Sequence, residues 1–110
     1  ASSFTPTIDK WKGQSCEGAF IHVVDPQRFR PFLTGAKAIA VCRELGGDAF
    51  AWRADAYEFV ADIPAFDLLC GTDEVRLAID DGRSIDPFFQ QHESTALQFR
   101  AKSQRYWLYE

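Results

Sequence analysis

No methionine occurs in the 110 residues, so the chain need not start where its gene does. Histidine occurs only twice, as His22 and His92, and neither has a second histidine at liganding spacing. The three cysteines, Cys16, Cys42 and Cys70, are odd in number and far apart. No C-x-x-C unit or zinc pattern exists, so they read as buried free thiols rather than a disulfide framework or metal set. No stretch reaches the roughly 18 apolar residues needed to cross a bilayer, and no secretion signal is present. Basic residues never form a run, and the net charge is -4. An acidic chain without a basic stripe is a poor fit to a phosphate backbone, so no nucleic-acid partner is expected. The single glycine of Gly71-Thr72-Asp73, with no lysine nearby, is far from a phosphate loop. No cofactor is expected. Without a recognisable nucleophile–base pair or metal cluster, a compact autonomous enzyme is the least favoured reading.

What the chain does have is a globular composition, 46% hydrophobic and 25% charged, with ten phenylalanines. One domain over residues 1–110 is expected, burying about 65% of the surface of the unfolded chain. Residues 1–15 read as an extended opening segment, punctuated by Pro6 and Gly13. From Cys16, Ala19, Ile21 and Val23 alternate with Phe20, His22 and Val24. Both faces are apolar, which predicts a central strand covered on both sides and ended by Asp25-Pro26.

Residues 31–45 change to a helical period, with Ala36, Ile39 and Ala40 on one face, Pro31 in the first turn and Gly46-Gly47 as the stop. Gly35 inside that helix hints at close packing. Trp52, Tyr57 and Phe59 suggest one or two short strands. Three helical signals follow. A short piece after Pro64 is closed by Gly71, a second helix is capped by Thr72, and a longer helix begins at Asp86-Pro87 with Phe88, His92, Ala96 and Phe99 on one face. The closing residues 106–110 read as a strand. The fold class is α+β: a small mixed or largely antiparallel sheet packed against several helices.

The ordered blocks FTPTIDKWKGQSCEGAFIHVVD, FRPFLTG, YEFVADIPAFDLLCGTDEVRLAIDDG and YWLYE resemble the C-terminal domain of the exo-β-N-acetylmuramidase family, from Phe4 to Tyr109. The matching positions include Lys12-Gly13, Cys16, Gly18, His22-Val23, Phe29, Pro31, Gly35, Asp67, Gly71-Thr72 and Tyr109. Two positions depart from the pattern: Gln14 stands where a glutamate is frequent, and His92 where a tryptophan is common. The resemblance implies a bacterial two-domain glycosidase of the cell envelope, periplasm or secreted space. Its N-terminal Rossmann-like domain would carry the catalytic glutamate, and its substrate would be terminal N-acetylmuramic acid on peptidoglycan fragments. The isolated chain is then expected to be inactive, with no catalytic residue of its own. A peptidoglycan- or protein-binding module, and a domain that only stabilises a larger neighbour, are the rival readings.

Four residues are candidates for binding the sugar. His22 reads as a hydrogen-bonded core histidine, as a cleft residue that touches sugar or orients a partner's carboxylate, or as a metal ligand. Glu17 and Asp25, with Asp9, flank the first strand, and glycoside hydrolysis uses paired carboxyls; surface solvation and turn formation are the local alternatives. Trp11, Trp52 and Trp107 are possible platforms for stacking on a pyranose, with core packing the alternative for each; Trp11 is the best placed, because it lies in an irregular polar segment. Asp67 is expected to cap a turn or pair with an arginine such as Arg76.

Overall fold

The computed structural model describes residues 1–109. Two short strands come first, β1 (Ser2–Phe4) and β2 (Cys16–Gly18), paired antiparallel with Ser3 opposite Glu17. Four helices follow: α1 (Pro31–Gly46), α2 (Ala65–Cys70), α3 (Glu74–Asp80) and α4 (Asp86–Ser103). The fold is a single small α+β domain, as the residue pattern predicts. Among the described residues no helix is long and apolar enough to cross a membrane.

The helices start and stop where local chemistry directs. Pro31 occupies the first turn of α1, where its missing N–H removes no hydrogen bond. Gly71 ends α2 at φ +73°, a left-handed conformation that costs glycine little. The Thr72 hydroxyl then accepts the Glu74 N–H at 3.2 Å and opens α3. Ser84 does the same for the Asp86 N–H at the start of α4.

The core is small and helical. Ala36 of α1, Val75, Ala78 and Ile79 of α3, and Ile85 just before α4 are buried. Leu33, Ile39, Trp52, Phe66, Phe88 and Phe89 pack around them. Gly35 faces open space, since a Cβ there would meet nothing within 4 Å. Its close-packing role is therefore corrected.

Elsewhere the apolar pattern finds no cover. The expected doubly covered strand stops at Gly18; Phe20, Ile21, Val23 and Val24 are all exposed, Val24 by 94%. The reason is the partner: β1 offers three residues, and nothing among the described residues extends it. His92 does not fill the core either. It is exposed and its ring stacks on Phe88 at 4.1 Å, while the whole stretch of α4 beyond Phe89 as far as Lys102 is exposed. Around Tyr57 only an isolated antiparallel bridge to Val60 forms, not a strand pair. The terminal strand is replaced by a 3-10 turn, Gln104–Tyr106, followed by irregular backbone; its last residue, Glu110, lies outside the described residues.

These departures add up in the surface. The chain exposes 9512 Å², whereas a compact monomer of this mass would expose about 6200 Å². Its radius of gyration is 17.5 Å, against about 13 Å for a compact chain of this length. About half of the unfolded chain's surface is buried, less than the 65% expected.

Candidate ligand site

Asp25 organises the turn that leads into α1. Its backbone carbonyl accepts the N–H of Arg28 at 3.2 Å and of Phe29 at 3.0 Å. Its Oδ1 accepts the N–H of Gln27 at 3.0 Å and of Arg28 at 3.3 Å. An aspartate before a proline suits this Asx-type turn. Curling residues 25–29 in this way brings Arg28 and Phe29 back toward His22. The six residues His22–Asp25, Arg28 and Phe29 line an open cavity of about 300 Å³.

His22 is exposed, so its place as a buried core histidine is overturned. Its ring lies 4.7 Å from that of Phe20, tilted by 52°. The imidazole thus has an aromatic neighbour and belongs to the cavity lining. Asp25 shares that cavity, but its carboxylate is engaged by the turn.

The other two candidates lie apart. Glu17 sits on β2, exposed, opposite Ser3. Trp11 is 65% exposed in the loop between β1 and β2. That loop is ordered by the Gly13 N–H donating to Pro6 O and the Gln14 N–H donating to Trp11 O, both at 2.9 Å. Trp11 itself has φ +64°, unusual for a bulky side chain, and its indole is held out from the protein. The structure therefore joins His22 with Asp25 and leaves Glu17 and Trp11 outside that cavity. Arg28 and Phe29 were not singled out as site residues from the sequence. The Asp25-Pro26 turn signal, which folds the next few residues back, could have found them.

A larger cavity of about 510 Å³ lies over α2 and α3, lined by residues that include Asp62, Asp67, Thr72 and Arg76. Its polar centre is occupied by the protein itself. The Arg76 Nε–H donates to both oxygens of the buried Asp67 at 2.9 Å, the pairing the sequence offered. The hydrogen bond to Asp67 raises the Arg76 pKa above its ordinary value. Burial first, and then the Asp67 charge, raise the Cys70 thiol, which disfavours the thiolate. All three cysteines are free, but Cys42 is exposed and the other two only half-buried, a correction to their reading as buried thiols. A second network joins α1, Trp52 and α3: the Trp52 Nε1–H donates to Asp80 Oδ1 at 2.8 Å, and Asp80 also lies 3.7 Å from Arg43 and Arg76.

Comparison with known proteins gives one family and one curated relative. Residues 1–109 match the family described as exo-beta-N-acetylmuramidase NamZ, C-terminal. The chain is 31% identical over 109 residues to the peptidoglycan beta-N-acetylmuramidase NamZ of Bacillus subtilis (strain 168). That match covers 99% of this chain but 24% of the relative, so the chain spans about a quarter of the relative's length. No solved structure matches.

Proposed function

Because the chain belongs to the family of exo-β-N-acetylmuramidase C-terminal domains, we propose that it forms one wall of a sugar cleft whose other wall, with the catalytic carboxylate, is a larger Rossmann-like region of the same protein. The substrate in this reading is terminal N-acetylmuramic acid on peptidoglycan fragments. Residues 1–110 act as one domain that positions the sugar and carries none of the bond-breaking groups. The observation that carries the proposal is the uncovered surface: 9512 Å² in place of about 6200 Å², with Phe20, Ile21, Val23 and Val24 exposed in sequence. Such a surface suits a domain that packs against a neighbour.

The chemistry on this chain agrees with a supporting role. Glycoside hydrolysis usually uses two carboxyls set across the scissile bond. Asp25 is tied to two backbone N–H groups, and Glu17 stands on a strand away from the His22 cavity. Among the described residues no second carboxylate lines the cavity with Asp25. His22 on its turn and Trp11 on its loop are instead suited to holding a sugar: an imidazole to bond hydroxyls and an indole to stack on a ring face. Fixing the sugar in register is itself a large contribution to rate.

A chromogenic glycoside of N-acetylmuramic acid tests this directly. The purified 110-residue chain should give no turnover, and the full-length source protein should turn the substrate over. Steady release of chromophore by the 110 residues alone would sink the dependence on a second domain. Saturable binding of the sugar by a full-length protein that never hydrolyses it would instead identify a binding module.

A further inference from the structure

One cation in the His22 cavity has no partner. Arg28 lines the cavity with Asp25 and Phe29, and among the described residues no carboxylate lies within 4.0 Å of its guanidinium. Its near neighbour differs: Arg30 is neutralised by Glu93, with two N···O distances of 2.7 Å. Asp25 is in the same cavity, yet its carboxylate is turned to the Gln27 and Arg28 backbone N–H groups instead of the Arg28 side chain. Arg28, its guanidinium without a carboxylate partner, thus lines one cavity with His22 and three apolar residues, Val23, Val24 and Phe29.

We propose that Arg28 is a specificity-determining residue that receives the lactyl carboxylate of N-acetylmuramic acid. The inference rests on the reading of the His22 cavity as part of the sugar site. The lactyl ether distinguishes muramic acid from glucosamine, and it combines one carboxylate with one methyl group. A guanidinium fork matches the carboxylate in two parallel hydrogen bonds, and Val24 and Phe29 offer apolar surface for the methyl. His22 then remains for the sugar hydroxyls. Arg28 selects the substrate and takes no part in breaking the glycosidic bond.

The test uses the full-length source protein and two chromogenic β-glycosides of N-acetylmuramic acid, one with the free lactyl acid and one with the lactyl carboxamide. The wild-type protein should favour the acid in kcat/KM by roughly 10-fold or more, as expected for a charge-assisted hydrogen bond. Arg28→Gln should bring that ratio close to one, mainly through KM, and Arg28→Lys should keep part of it. A ratio preserved in Arg28→Gln, whatever the fall in overall rate, overturns the inference and makes Arg28 a contact to the covering domain. A wild-type protein indifferent to acid and amide overturns it as well. Hydrolysis of neither substrate by the wild type is a failure of the muramidase reading, seen before any variant is made, and the inference falls with it.

Discussion

Arg76 holds Asp67 through a single nitrogen, its Nε–H lying 2.9 Å from both oxygens of the carboxylate. Asp67 is 5% exposed, so its carboxylate depends largely on Arg76 for compensation. Arg76→Ala strands a buried carboxylate and should destabilise the domain by about 2–3 kcal/mol. Asp67→Asn leaves a neutral amide that still accepts from Nε, so it should cost less. Urea unfolding of the two variants checks the order; equal costs would mean that a neutral acceptor cannot replace the charged carboxylate.

Two glycines should respond to alanine in opposite directions. Gly35 lies inside α1 with open space around its missing Cβ. Gly35→Ala should therefore stabilise by about 0.5–1 kcal/mol, from helix propensity alone. Gly71 has the same open surroundings but φ +73°. Gly71→Ala should destabilise by about 1 kcal/mol, since the left-handed conformation is disfavoured once a Cβ is present. Thermal melts of both variants give the signs, and a shared sign would contradict the backbone account.

Lys37 ties α1 to the start of α4 through Asp86 at 2.7 Å. The hydrogen bond from Lys37 holds the Asp86 carboxyl below its usual value of 3.8. A depressed carboxyl stabilises the fold fully above the unfolded value and loses that contribution as pH falls through the folded one. The window is therefore below about pH 4. Lys37→Met should flatten the acid limb of the stability profile there, and an unchanged limb would exclude the pair as its source.

His22 is exposed, with its ring 4.7 Å from that of Phe20. His22→Phe should leave unfolding within about 0.5 kcal/mol of wild type. If His22 holds the sugar, the same change should lower turnover of a muramic acid glycoside by the full-length protein. A loss of stability with activity intact would return His22 to a structural role.

The helical half of the molecule was legible because its information is local. Pro31, Gly71, Thr72 and Pro87 mark boundaries through their own backbone preferences, and Ala36, Val75, Ala78 and Ile79 repeat with the helical period. The segment from Cys16 to Val24 was not legible in the same way. Its alternation records which side chains suit burial, but a strand exists only with a partner, and β1 supplies three residues. The same holds for Phe99 on α4, on the apolar face by period and exposed in fact. Asp25 shows the reverse case for the site. Its turn role was readable from the proline after it, whereas the approach of Arg28 to His22 depends on how that turn curls.

The uncovered run from Phe20 to Val24 also bears on how the domain behaves in a test tube. Five residues with no proline and no Asp, Glu, Lys or Arg, rich in β-branched and aromatic side chains, are suited to zipping against copies of themselves. A concentrated solution of the separated domain should then drift toward insoluble β-rich aggregate. Glu17 stands three residues before the run, and Asp25 and Pro26 follow it at once. They act as gatekeepers: like charges repel across stacked copies, and a proline without an N–H interrupts the growing ladder. Asp25, which lines the His22 cavity, would thus also slow that aggregation without abolishing it.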